Sequence, residues 1–478
     1  MSLPIPKLDD KTFAQLAEEA RSLIPRFSRD WTDYNLSDPG LTFLELFAWL
    51  AEMQIYSLDR VRDQHYLKFL RLLGIQPQPA KPGRVAVTFT SPQLATLEKG
   101  ARLAARDPET GDDIIFETDE ALQISPLALS AIFTQESGGV VSNLDANLQD
   151  GLFYFAFGEN PQPGDALYLG LAYEGALPAD EIKIAINLFE QDLPVKPEAS
   201  SQDYEIIPPA KLEWEYYSGQ SGRDWKRLPL SRDTIMAFTR SGSIAFTGPA
   251  EAVKKKLFNL TAELYWVRCR VLSAEYHVPP RLDAILLHTI SATHGRTWHE
   301  ELLGSSNALP GQIFKFVNTP VLVGTEAIVI KEGLAEDSWQ EWQRVDDFDN
   351  SGPDDGHYLL NAAEGEITFG DGIHGRIPPM GENNIKARRY RSGGGEIGNV
   401  RRSAVNRIFL GAPSFVKVEN LQSGSGGAAA ESLEEAKLRA KQDLRETTRA
   451  VTSADYEKLA LATPGVWLAR AKALPIFS

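Results

Sequence analysis

Gly393, Gly395 and Gly398 stand at the GxGxxG spacing that, in a dinucleotide site, comes after a strand and opens a helix cradling pyrophosphate. The next residues, NVRRSAVNRIFL, offer no N-cap and no helical stripe, so a flexible or tight β-loop is the expected role. No GxxxxGK[ST] phosphate loop occurs. The acidic run Asp346, Asp347, Asp349, Asn350, Asp354 and Asp355 resembles a calcium loop, with Asp347, Asp349, Ser351 and Gly352 at its first, third, fifth and sixth positions. Tyr358 stands where the bidentate glutamate belongs, Pro353 is adjacent, and no helical pattern flanks the run, so it reads as a solvated acidic loop.

The remaining chemical candidates are weaker still. His288, His294 and His299 are spaced too loosely for a helical two-histidine zinc site, and His357 and His374 have no partner at ligand spacing. There is no GxSxG elbow. The single cysteine, Cys269, lies in the apolar run 264–272, which predicts a buried thiol and excludes an intramolecular disulfide. With 65 acidic residues, no carboxylate pair can be singled out as a glycosidase couple. The sequence therefore offers no catalytic residue, no metal ligand and no cofactor site, and no enzyme is expected.

The elements that would position any site change character along the chain. Over residues 9–24, Phe13, Leu16, Ala17, Ala20, Leu23 and Ile24 recur at helical spacing, and Pro25 is expected to end the helix. Asp38 is a candidate N-cap with Pro39 at the first helical position of a second helix running to about Arg60. Leu41, Leu44, Phe47, Ala48, Ala51, Ile55 and Leu58 mark one face of it, while Phe43, Trp49, Leu50 and Tyr56 widen that face. A helix this apolar needs partners on more than one side. Asp63 can cap a third helix through Leu73, closed by Gly74 before Pro77, Pro79 and Pro82.

After Gly83 the pattern is that of short strands separated by turn residues, including 84–90, 114–118, 152–157, 166–171, 182–188, 212–217 and 264–272. Their even spacing predicts a β-sandwich over 130–281. Residues 423–427 read as a small flexible linker. Ser432 with Glu435, and Thr452 with Asp455, form capping-box pairs for two helices, the second ended by Pro464 and Gly465.

The chain has 478 residues, too many for one hydrophobic core. Its 43% hydrophobic and 24% charged residues are those of a folded protein rather than a disordered one. A net charge of −16 argues against nucleic acid as a partner, because phosphate binding needs clustered Lys and Arg. The N-terminal stretch MSLPIPKLDDKTF has neither the basic start nor the apolar run of a secretory signal. No apolar run of about 18 residues occurs, so synthesis in the cytoplasm without direct membrane insertion is expected.

Three stretches together resemble one family. They are SDPGLTFLELFAWLAEMQIYSLDRVRDQHYLKFLRLLGI at 37–75, GEITFGDGIHGRIPP at 365–379 with RYRSGGGEIGNV at 389–400, and ESLEEAKLRAKQDLRETTRAVTSADYEKLALATPGV at 431–466. In this order, joined by the LYWVRCRV and PPRLDAI pieces within 264–285, the chain resembles the baseplate J-like proteins of contractile phage tails and of extracellular contractile injection systems. The resemblance implies a wedge subunit that pairs with a second wedge protein through its N-terminal helices. It further implies a ring with other copies of itself around the spike and tube, and contacts with sheath-initiator, hub or spike, and fibre proteins. The particle could stay cytoplasmic, be released, or be membrane-attached. Family members commonly continue past the ARAKALP-like stretch, whereas this sequence stops at Ser478 with Ile476 and Phe477 as an apolar tail.

The expected fold is α+β, mostly β: an N-terminal helical wedge-bundle region (1–83), the first part of a β core (84–129), an inserted sandwich (130–281), a second β-rich unit (282–422), and a linker with a helical pair (423–478). Leu41, Leu44, Phe47, Trp49, Ile55, Leu67 and Leu70 are the expected assembly interface. Asp38, Pro39 and Gly40, Gly370, Asp371 and Gly372, and Gly393, Gly394 and Gly395 are expected structural turns, with Asp371 bonding turn amides. The competing reading is a glycan- or receptor-binding surface protein, with Trp214, Tyr216, Tyr217 and Trp225 of the sandwich facing sugar.

Overall fold

The computed structural model describes residues 11–28, 30–32, 35, 38–59, 63–149, 151–190, 208–220, 223–333, 335, 338–444, 449–463 and 468–474. The fold is α+β and mostly β, and it separates into two units, one of residues 1–78 with 431–446, the other of 79–430 with 447–478.

In the first unit the helices are α1 (Phe13–Phe27), α2 (Pro39–Asp59) and α3 (Asp63–Leu72). Thr12 caps α1 in a capping box with Gln15. Pro25 does not end α1 as expected; it sits inside the last turn, and the Ser28 N–H donates to the Ile24 carbonyl at 2.8 Å. Proline removes one donor, and so close to the end of a helix few carbonyls remain to miss it. Asp38 Oδ1 accepts from the Gly40 and Leu41 amides at 2.6 and 3.1 Å, the N-cap bonds that start α2 at Pro39.

The second unit contains the short helix α4 (Leu144–Asn147) and three β assemblies. A six-stranded sheet runs in spatial order Val405–Leu410, Arg102–Arg106, Asp113–Thr118, Thr289–His294, Arg84–Thr90, Lys417–Glu419. A five-stranded sheet, centred on Glu181–Leu188 and Arg281–Leu287, faces a seven-stranded sheet whose centre is Leu264–Ala274 and Ala166–Ala172. Ile182, Ile184, Ile186 and Phe246 of one and Leu167, Leu169, Val267 and Cys269 of the other share a single core, which makes this pair a sandwich. The third assembly is a seven-stranded sheet running from Arg296–Ser306 and Gly381–Ser392 to Ile313–Lys315.

Strand pairing divides the expected unit 282–422 among all three. Arg281–Leu287 belongs to the sandwich, Thr289–His294 to the six-stranded sheet, and Arg296–Ser306 to the third. Each transfer takes one residue, His288 with φ +48° and Gly295 with φ +149°. Such backbone ends a strand at once, and sequence alternation alone gives no sign of it.

The expected flexible linker is paired backbone. Arg84 and Ser425 exchange N–H···O bonds at 2.8 and 2.9 Å, Lys81 pairs with Ala428, and the Gly427 N–H donates to Asn399 Oδ1 at 2.7 Å. Small residues that make a free chain floppy also let backbones come within bonding distance. Beyond it lie α5 (Leu433–Asp443), which belongs to the first unit, and α6 (Ser453–Leu461) in the second. Both have the capping boxes read from the sequence, Ser432 with Glu435 and Thr452 with Asp455. Pro464, Gly465, Ile476 and Phe477, as well as Arg60, lie outside the described residues.

Candidate functional site: an apolar helical surface

Many large apolar residues of the first unit are exposed. On α2 the residues turned inward are Leu41, Leu44, Ala48, Ala51 and Ile55, spaced i, i+3, i+7, i+10 and i+14. Ala17 and Ile24 of α1 are buried in the same unit, and α1 packs on α2. Two polar ties fix the pair: the Phe13 N–H donates to Glu52 Oε1 at 2.7 Å, and Arg21 pairs with Glu45.

A second stripe on α2, Phe43, Leu46, Phe47, Leu50 and Met53, is exposed, with Phe43 at 63% and Phe47 at 67%. Trp49 and Tyr56, seven residues apart, are exposed beside it. Leu23 and Phe27 on α1, and Phe69, Leu72 and Leu73 at α3, add to the open apolar surface of this unit. A groove of about 540 Å³ is lined by Leu16, Trp31, Phe43, Leu44 and Phe47. Exposed apolar residues of this kind make the surface a candidate for interaction.

The residues expected at the interface therefore divide. Phe47 and Trp49 are exposed, Leu44, Ile55 and Leu67 are half-buried, but Leu41 and Leu70 are buried within the chain. Leu41 lies on the inward stripe of α2. Leu70 joins Ile75, Ala436, Ala440 and Leu433 in a small core between α3 and α5. Leu46, Phe69 and Leu72 are exposed as well, outside the set expected at the interface; the i, i+3, i+4, i+7 run from Phe43 was the signal for Leu46.

The α3–α5 contact is made specific by charge. Lys437 Nζ sits 3.6 Å from the Tyr66 ring centroid, and Arg439 bonds Glu431 at 2.8 Å and donates to the Gln76 carbonyl at 2.8 Å. Glu431 also accepts from the Gln78 N–H at 2.8 Å; the bond from Arg439 is the main cause of its lowered pKa.

The glycine turns are closed by local hydrogen bonds and close backbone approaches. Asp371 Oδ1 accepts from the Ile373 and His374 amides at 2.8 and 2.7 Å, and these bonds keep its carboxyl below the usual range, that from His374 first. A Cβ at Gly370 would lie 2.2 Å from the Gly375 carbonyl carbon. Gly372, Gly393, Gly394 and Gly395 all have positive φ, and Gly398 lies in the one-turn 3₁₀ segment Glu396–Gly398. In the acidic loop, Asp347 and Asp355 accept the amides of Asp349 and Gly352, and Ser351 bonds His357 Nδ1 at 2.8 Å. Among the described residues no group of three or more His, Cys, Asp or Glu could hold a metal ion.

His288 and His294 are buried, and burial lowers the pKa of both, that of His288 to about 4. Cys269 is fully buried, and burial pushes its thiol well up, away from thiolate chemistry. Of the rings that the competing reading turns towards sugar, Trp214, Tyr216 and Tyr217 are buried, and Trp225 is half-buried with the Arg268 guanidinium 4.1 Å from its ring centroid. They serve the sandwich as packing and as the cover of a cross-strand ladder, Arg268 and Arg270 with Glu213 and Glu215. Among the described residues no helix is long and apolar enough to cross a membrane.

A scan against protein-family models finds no match, and no curated protein matches the chain. Among solved structures, it is similar to a chain of the type VI secretion system TssK-TssF-TssG baseplate subcomplex. The TM-score is 0.45 at 12% identity, over 88% of this chain and 81% of that one. It also overlaps a chain of the anti-feeding prophage baseplate, with a TM-score of 0.29 at 12% identity, over 93% of this chain and 56% of that one. The chain thus spans little more than half the length of the anti-feeding prophage chain.

Proposed function

We propose that this chain is a non-enzymatic structural subunit of a contractile, tail-like injection particle, a baseplate wedge protein. It pairs with a second wedge protein through its N-terminal helices, joins other copies of itself in a ring around spike and tube, and relays the trigger of contraction. The observation that carries this reading is the open stripe Phe43, Leu46, Phe47, Leu50 and Met53, apolar surface that a helical partner can cover by the ridge packing that joins helices. The resemblance of residues 37–75, 365–400 and 431–466 to baseplate J-like proteins supplies the kind of particle.

The test is substitution rather than deletion, because removing residues 1–75 would also strip Leu70 and Ile75 from the small core on α5. Phe43→Ser with Phe47→Ser, introduced in the producing cell, should leave the subunit folded and abolish sheathed particles in electron micrographs. Intact particles at wild-type numbers would overturn the reading.

A further inference from the structure

The seven-stranded sheet between Arg296 and Ser392 is joined to the six-stranded sheet at two adjacent points, and both are glycines. The chain leaves through Gly295, φ +149°, and returns through Gly393, φ +150°, backbone that favours residues without a Cβ. The two lie against each other: a Cβ on Gly393 would be 2.6 Å from the Gly295 Cα. Among the described residues the six-stranded sheet, the sandwich and the third assembly each have a core of their own, and at this joint the buried Leu322 lies against the backbone of Gly295 and Gly394.

Beside Leu322, a polar hub on one carboxylate spans the joint. Glu117, on the strand Asp113–Thr118 of the six-stranded sheet, is 5% exposed. It accepts from the Thr297 N–H at 2.7 Å and from Thr297 Oγ1 at 2.5 Å, both across the joint. Arg391, also across it, brings Nε to 3.3 Å, and Arg102, on the same side as Glu117, stands at 3.6 Å. The arginines donate onward, Arg102 to the Thr297 carbonyl at 3.3 Å and Arg391 to the Thr293 carbonyl at 3.2 Å.

The joint to the sandwich carries polar contacts as well, with Gln422 bonding Asn187 and Asp283 across it, and adds an apolar one. There Leu421 packs on Ala185, Ala284 and Leu286, an apolar contact, beside the Glu120–Lys183 pair. Units held mainly through polar contacts reorient more readily than units with a larger apolar contact between them.

We propose that residues 296–392 form a hinged arm, pivoting at Gly295 and Gly393 and latched by Glu117, while the sandwich is fixed to the six-stranded sheet. The latch centres on a single carboxylate with partners from both sides, so losing it loosens this joint while the arginine–carbonyl bonds remain, and leaves both cores intact. On the proposed reading as a baseplate subunit, the arm is the part that reorients when a neighbour pulls, a rigid-body change about glycine pivots.

The experiment measures distances by spin labelling in the isolated full chain, so its failure leaves the assembly reading untouched. Lys99→Cys with Glu364→Cys spans the hinge, and Lys99→Cys with Asp180→Cys spans the sandwich joint; buried Cys269 stays unlabelled. With Glu117 present both distance distributions should be narrow. Glu117→Gln should broaden the Lys99–Glu364 distribution at least twofold and leave Lys99–Asp180 unchanged. Thr297→Val removes one latch bond with less risk to folding and should broaden the same pair alone. Unchanged widths across the hinge in the folded variants, or equal broadening of both pairs, would overturn the proposal.

Discussion

Lys437 holds its ammonium 3.6 Å from the ring centroid of Tyr66, joining a helix near one end of the sequence to one near the other. Between them lie Ala436 and Ala440, both buried, so α5 approaches α3 only as closely as two alanines permit. Ala440→Leu should therefore overpack this contact and destabilise the first unit by about 1–3 kcal/mol. Tyr66→Ala should cost about 1 kcal/mol through loss of the cation–π contact. Thermal melts of the two variants, compared with Leu438→Ala at an exposed position of α5, check the ordering.

The exposed stripe on α2 should be visible in solution before any partner is present. Wild-type protein is expected to bind a hydrophobic fluorescent dye, and Phe47→Glu to reduce that signal at least twofold while the circular dichroism spectrum is unchanged. Leu41→Glu, aimed inward from the same helix, should unfold α1 and α2 instead and raise the signal.

His288 gives the stability a definite acid dependence. Its ring is buried and bonds Ser125 at 3.3 Å, and burial lowers its pKa to about 4, below the ordinary histidine value near 6.5. The unfolded chain takes up that proton first, so stability is lost as pH falls from about 6.5 towards 4, by up to about 3 kcal/mol. Asn tolerates the left-handed backbone at this position. His288→Asn should flatten the difference between denaturant midpoints measured at pH 7 and pH 4.5. Glu120 adds a loss at lower pH: its paired carboxylate has a lowered pKa, so its contribution holds above about 4.5 and fades below it.

Cys269 should be silent to thiol reagents while the sandwich is folded. Burial raises its pKa, so little thiolate forms and no reagent reaches it. Labelling is expected at the rate of unfolding, rising with denaturant in step with the loss of tryptophan fluorescence. Fast labelling under native conditions would contradict the packing of the sandwich core.

The local signals in the sequence were the covalent and short-range ones. Asp38 before Pro39, the capping boxes at Ser432 and Thr452, the alternation in 84–90 and 182–188, and the apolar setting of Cys269 all depend on neighbours a few residues away. Such signals are complete within the chain segment that carries them. The excess of apolar residues on α2 was legible for the same reason, since helical spacing converts a list of residues into faces.

Which of those faces is covered was decided only in three dimensions. Leu41 and Phe47 have the same apolar character and lie on one helix, yet α1 covers the first and leaves the second open, because burial depends on what packs alongside. The same holds for the β half. Residues 282–306 all fall in the expected second β-rich unit, yet they pass through three sheets because single residues at 288 and 295 take left-handed or glycine-only backbone. Glu117 and Thr297 belong to no motif in the sequence, and Arg391 lies in the stretch 389–400 with no role read for it. Strand pairing brought them within bonding distance across a joint where Gly393, expected only as a turn, meets Gly295.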